Sequence, residues 1–303
     1  MNIILVINKF LDRGQSTCID GGYYNFYIPL IELGHKVYLY DTINGNEDSF
    51  NKIVDSFKPD LIFCVMTGNK SVTPYEPHEQ IKEITQSKKI KTFNWFCDDT
   101  WRFETFSKNI CNDFSYCSTP EKKYLDKYKE IGYENILLGN WHCNEDLLFK
   151  KGKSFNVSFC GGQTQSRFDI FNNLINSEVD LKYFYGIAYE DVMKVYSLSK
   201  IGLNLTVNDN DLEKKPQMKL RIFEVVASNS LLLTENVENL EDYFEIGKEI
   251  ETFSTIDEAK DKINFYLKND SAREKIANLG HARFLKEHTS KIRLNNILQQ
   301  INK

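Results

Sequence analysis

The sequence contains no Cys-x-x-Cys pair and no HxxxH or HExxH spacing, although it has seven cysteines and five histidines. A zinc finger or a thioredoxin-type redox site therefore has no support. No polybasic run stands out, and the formal net charge is −5, which disfavours a nucleic-acid scaffold. No stretch approaches the ~20 apolar residues of a membrane helix. Solenoid-period repeats and low-complexity linkers are missing as well. The odd cysteine count, spread through apolar segments (Cys64, Cys97, Cys160), reads as reduced, buried thiols in a cytoplasmic protein. At most peripheral membrane contact is expected. The opening MNIILVINKF turns polar too soon for a signal peptide and reads as a first β-strand.

What is present is an ordinary folded composition, 41% hydrophobic and 27% charged over 303 residues. At ~100–200 residues per domain, that length predicts two domains. Aromatics reach 13% and suit either cores or sugar-binding clefts. Strands and helices alternate. Ile3–Ile7, Lys36–Tyr40, Leu61–Met66, Ile90–Cys97 and Asn135–Leu138 read as strands. Tyr23–Leu33, Phe50–Phe57, Glu79–Ser87 and Pro120–Ile131 read as the helices between them. After a polar stretch, Asn140–Lys153, the rhythm restarts. Strands are expected at Phe155–Cys160, Leu181–Tyr185, Ile201–Leu205 and Leu231–Thr234. Helices are expected at Arg167–Ile175, Tyr189–Leu198, Lys219–Ala227, Ile256–Leu267 and Ala272–Glu287. The pattern predicts an α/β protein of two parallel sheets, with domains over 1–145 and 146–287. The tail places Leu294, Ile297, Leu298 and Ile301 at helical spacing, so one face of a helix over 288–303 needs a packing partner.

Ligands of such sheets bind beyond the carboxyl ends of the strands, and the unusual residues fall there. Gly21-Gly22 is either a flexible turn or a close backbone approach for an anion. Gly161-Gly162 with Arg167 suits a diphosphate, the ordinary alternative being a surface arginine beside a turn. Arg221 and Glu224 share one helix face with Lys219 just before them. The cations could neutralise a diphosphate and the carboxylate could accept ribose hydroxyls; a solvated i,i+3 ion pair is the plainer alternative. Asp98 and Asp99 lie among Trp95, Trp101 and Phe103, where mutual repulsion could raise one pKa toward general-base usefulness. The alternative is one helix-capping and one exposed aspartate. His142, near the domain junction, is a possible base or a structural histidine.

The run Lys219-Leu-Arg-Ile-Phe-Glu-Val-Val-Ala-Ser-Asn-Ser-Leu-Leu-Leu-Thr234 resembles the R-x-F-E-x-x-A-x-G-x-x-L-L-T block of group 1 glycosyltransferases, nearest the spore-maturation-protein-like kind. Ser158-Phe-Cys-Gly161 with Arg167, Ile201-Gly-Leu-Asn204 and Asn94–Phe103 are similar to further blocks of the same group. The resemblance implies a GT-B fold, two Rossmann-like domains with a cleft between them, whose last helix returns to the first domain. It implies Glu224 as the ribose carboxylate, Arg167, Arg221 and Lys219 as diphosphate contacts, and Asn204 lining the donor site. It departs from the family at the paired glutamates: Pro216 and Leu232 stand eight residues either side of Glu224, and Asn229 replaces the usual glycine.

The expected activity is glycosyl transfer, of hexosyltransferase type, from a nucleoside-diphosphate-sugar such as a UDP-sugar to a glycan, lipid-linked or protein acceptor in glycan biosynthesis. No cofactor is required in that scheme, since cations and a helix N-terminus stabilise the leaving diphosphate. Asp98, Asp99 or His142 would serve the acceptor. A non-catalytic sugar-nucleotide-binding or assembly protein of the same fold is the alternative. An epimerase or dehydrogenase is disfavoured, because no GxGxxG follows the first strand.

Overall fold

The computed structural model describes residues 1–11, 18–147, 149, 152–209 and 211–303. The chain divides into two compact units, Met1–Asn140 with Ser290–Lys303, and Trp141–Thr289.

The first unit is a six-stranded, all-parallel sheet. Its strands are β1 (Asn2–Ile7), β2 (Lys36–Asp41), β3 (Leu61–Cys64), β4 (Lys91–Trp95), β5 (Tyr116–Thr119) and β6 (Ile136–Leu138), in the order β2-β1-β3-β4-β5-β6. β1 and β3 are uninterrupted apolar runs because both faces of the sheet are covered. One face packs Ile4, Val6, Ile62 and Cys64 against Phe50, Ile53 and Ile81 of the helices Phe50–Phe57 and His78–Ser87. The other packs Ile3, Leu5, Phe63, Phe93 and Trp95 against Phe26, Leu30 and the C-terminal helix Ser290–Ile301. The apolar stripe Leu294, Ile297, Leu298 and Ile301 is the part of that helix that enters this core. Lys91 Nζ donates to the Ile301 carbonyl at 2.7 Å, placing a cation on the helix C-terminus.

The second unit is a five-stranded parallel sheet of β7 (Phe155–Cys160), β8 (Leu181–Phe184), β9 (Ser199–Asn204), β10 (Leu231–Glu235) and β11 (Glu251–Phe253), in the order β11-β10-β9-β7-β8. The helices that matter to the site follow β7 and β9; they run over Gln165–Asn176 and Leu220–Ala227. The chain leaves β7 toward β8 on one side and later returns to β9 on the other. The crevice between β7 and β9 is thus the topological switch point of this unit. Asn229, where the resembled block has glycine, adopts φ 51° after the second of these helices.

Three elements differ from the sequence-based expectation. β5 is a strand although Tyr116-Cys-Ser-Thr119 is mostly polar; Ser118 and Thr119 are nonetheless buried between neighbouring strands. β11 is too short to show a period. Between Asp99 and Asp113 the chain runs through α, π and 3-10 turns, so its apolar residues follow no single helical repeat. The opening helix of the first unit also begins as a π turn, Tyr23–Tyr27, before continuing as Ile28–Glu32.

Truncating the C-terminal stripe should be costly. Leu294→Ala is expected to lower stability by about 3 kcal/mol in urea unfolding, as for other buried leucines. A loss under about 1 kcal/mol would show that this helix is only loosely held.

Candidate functional site

The site grows from two glycines. Gly202 in β9 lacks a side chain where Val225 presses in; a Cβ there would meet Val225 Cγ1 at 2.5 Å. The helix Leu220–Ala227 therefore lies close on β9, and Arg221 in its first turn reaches over the strand's carboxyl end. Gly161, just past β7, leaves the space the guanidinium needs; a Cβ would sit 2.4 Å from Arg221 Nη2.

Arg221 is fixed at three points. Nε donates to the Cys160 carbonyl at 2.7 Å and Nη1 to Asn204 Oδ1 at 2.9 Å. The guanidinium lies 4.2 Å from the centre of the Phe159 ring. Arg167 approaches the same ring at 5.4 Å and donates through Nη1 to the Gly162 carbonyl at 2.7 Å. Burial first, and then the like charge of Arg221, hold the Arg167 pKa down to about 10. Neither guanidinium forms an ion pair among the described residues. The second helix carries no side-chain cap from its N-cap residue, Lys219, whose backbone is extended. Two cations and a helix N-terminus thus converge at the switch point, an arrangement that favours a multiply charged anion.

Gly161, Gly162, Arg167, Asn204 and Arg221, proposed from sequence, come together here. Lys219 immediately precedes the helix, half-buried. Glu224 is one turn further in and 7% exposed. Its charge, after burial itself, is the next cause raising the Cys160 thiol, which is pushed up to about 12. Asn204 is fully buried, so it holds Arg221 from beneath and does not line the site.

Several residues play parts that sequence patterns did not reveal. Phe159 is the ring that both arginines approach. The Tyr183 hydroxyl donates to the Gly161 carbonyl at 3.1 Å. The Asp209 carboxylate accepts from the Ser166 N–H at 3.3 Å and from the Ser166 hydroxyl, so the chain's own anion meets the first turn of the helix after β7. For Phe159, the strand end Phe159-Cys160-Gly161 was the available signal, and it also describes a plain buried strand.

Of the remaining candidates, Gly22, Asp99 and His142 are not placed as their letters suggested. Gly21 and Gly22 belong to the first unit. The Gly22 amide is taken by Asp20 Oδ1 at 2.7 Å, and a Cβ at Gly22 would strike Ile7 Cδ1 at 2.7 Å. This glycine serves close packing on β1. Asp99 is 0% exposed and accepts a hydrogen bond from the Tyr128 hydroxyl at 3.0 Å, so it is an internal carboxylate and not an accessible base. His142 lies in the second unit and is 1% exposed. Asp98, half-buried in the N-cap position of Asp99–Arg102, is the one of the three whose side chain reaches the surface.

With this geometry in place, comparison with known proteins is informative. The two parallel sheets form the GT-B fold, an α/β architecture of two Rossmann-like domains. Residues 161–299 match the family model described as glycosyl transferase-like. Among solved structures, a glycosyltransferase from Rickettsia africae superposes with a TM-score of 0.65 at 12% identity, covering 99% of this chain and 97% of that one. Sucrose-phosphate synthase from Thermosynechococcus elongatus gives 0.67 at 11% identity, covering 99% of both chains. Anabaena HepE in complex with UDP-glucose gives 0.62 at 11% identity, covering 100% and 99%. At such identities the likeness speaks for the fold alone. No curated protein matches the chain in sequence. Among the described residues, no helix is long and apolar enough to cross a membrane.

Two outcomes follow. Gly161→Ala should displace Arg221 and weaken anion binding about tenfold by fluorescence titration, with the fold retained; unchanged affinity would mean that Arg221 does not hold the anion. Burial raises the Asp99 carboxyl from 3.8 to about 6. The folded state then binds this proton more tightly than the unfolded one. The stability tied to it is full below pH 4 and is lost as pH rises to about 6, by ~3 kcal/mol. The stability difference between the wild type and Asp99→Asn should therefore change across pH 4–6 and be flat above; a pH-independent difference would remove the titration from Asp99.

Proposed function

We propose that the chain transfers a sugar from a nucleoside-diphosphate-sugar to an acceptor hydroxyl. The observation that carries this is the pair of guanidinium groups on Phe159, with no carboxylate paired to either among the described residues. Two like charges held together in a partly desolvated crevice are costly unless an anion joins them. A diphosphate supplies two or more negative charges and oxygens at the spacing of a guanidinium fork.

The chemistry that fits is stabilisation of the diphosphate as it leaves. The bond from the anomeric carbon to the phosphate oxygen breaks, and negative charge grows on that oxygen. Arg167 and Arg221 are already held by protein acceptors and would need little reorganisation, and the N-terminus of Leu220–Ala227 would add its dipole. No metal or cofactor is needed in this scheme. Glu224, one turn along the same helix, is assigned to the ribose hydroxyls, and Lys219 to the edge of the diphosphate. Asp98 is assigned to the acceptor hydroxyl or its proton. Support for a uridine donor comes from the HepE structures, solved with UDP and with UDP-glucose. The proposed acceptor is a glycan, lipid-linked or protein hydroxyl, and the proposed donor sugar is a hexose. A cytoplasmic location in glycan biosynthesis accords with seven free thiols.

A second reading has one specific observation in its favour. Asp99 and His142, two of three candidate acid-base groups, are buried. A sugar-nucleotide-binding protein without turnover would need the cation pair and not those groups.

A thermal-shift panel of UDP, ADP, GDP and their glucose conjugates tests the proposal. A nucleotide at 100 times its dissociation constant should stabilise the protein by ~2.7 kcal/mol. Arg221→Ala should abolish that shift, and Arg167→Ala should weaken binding at least tenfold. Release of free sugar or UDP on incubation separates enzyme from binder. No shift with any member of the panel would defeat the proposal.

A further inference from the structure

Thr234 closes the Leu-Leu-Thr block and has no role in the site as described so far. It is fully buried on β10, directly opposite Asn204 in register. The Thr234 hydroxyl donates to the Glu235 carbonyl at 2.9 Å. A hydroxyl has one proton, so toward Asn204 it can only accept. The Asn204 amide must then turn its NH2 toward Thr234, and Nδ2 donates to Thr234 Oγ1 at 2.8 Å. That leaves Asn204 Oδ1 facing the other way, where it accepts from Arg221 Nη1 at 2.9 Å. The reversed amide would set an NH2 against a guanidinium, donor against donor.

From this chain of hydrogen bonds we infer that Thr234 and Asn204 are positioning residues for Arg221: the single hydroxyl proton of Thr234 fixes which way the Asn204 amide points, and the amide fixes the guanidinium. The inference deepens the diphosphate reading above and rests on it. Neither residue touches ligand, because both are fully buried. A neutral anchor is what the task requires. It holds the guanidinium at a set angle without neutralising it, whereas a carboxylate at position 204 would hold it equally well and compete with the diphosphate for its charge. The Cys160 carbonyl is a second neutral anchor, on Nε. Nη2, which faces Gly161, is left to meet an anion.

The test is ¹⁵N NMR of protein labelled at arginine, with inorganic pyrophosphate as the probe. In the ligand-free wild type, the Arg221 Nη signals are expected to be resolved, because the two anchors hinder rotation of the guanidinium. Thr234→Val, of equal shape, should average those signals and weaken pyrophosphate binding about tenfold. Thr234→Ser keeps the proton and should behave as wild type, which separates hydroxyl direction from strand packing. Asn204→Asp should hold the guanidinium and still weaken pyrophosphate, by pairing its charge. Resolved Arg221 signals and unchanged affinity in Thr234→Val would overturn the positioning role. Arg167 and Arg221 signals in the wild type that pyrophosphate does not move would overturn the diphosphate reading itself, and with it the purpose assigned to the relay.

Discussion

The account depends on one constraint, the placing of Arg221 over Phe159 between the Cys160 carbonyl and Asn204. Each neighbouring feature is shaped by it. Gly161 is small because Nη2 lies beside it, and Gly202 is small so that the helix bearing Arg221 can approach β9. The anchors are a carbonyl and an amide, which satisfy N–H groups and leave the charge intact. Arg167 joins from the helix after β7, where burial first and then the second cation lower its pKa. An ordinary protein crevice would offset such a pair with a carboxylate. None pairs with either guanidinium among the described residues, which is why an external anion is the natural complement.

The fold was largely legible in the sequence. Short continuous apolar runs such as Ile3–Ile7 and Leu231–Leu233 suit strands covered on both faces, and their alternation with helices pointed to parallel sheets. What escaped was short or irregular. β5 is polar by composition, and it is flanked by β4 and β6, whose registered residues lie 23 and 19 positions away in sequence. The stretch after Asp99 mixes three helical geometries and so has no single period.

The site was legible in part, for a physical reason. Arg167 and Arg221 lie in the first turns of helices that follow strands, and the resemblance of their blocks, added to that position, singled them out. The depth of Asp99 and His142 could not be read, because an aspartate beside Trp95 and Trp101 has the same letters whether it faces a cleft or ties down Tyr128. Gly22 illustrates the same gap: absence of a side chain permits an anion or a neighbouring Ile7, and only coordinates tell which. The depth of Asn204, fully buried beneath Arg221, could not be read from its letters either.

A structure of the protein with UDP bound would test the central claim most directly. The account predicts diphosphate oxygens hydrogen-bonded to both Arg167 and Arg221, with Asn204 still beneath Arg221 and out of contact with the ligand. A diphosphate bound elsewhere, with the two guanidinium groups unengaged over Phe159, would contradict it.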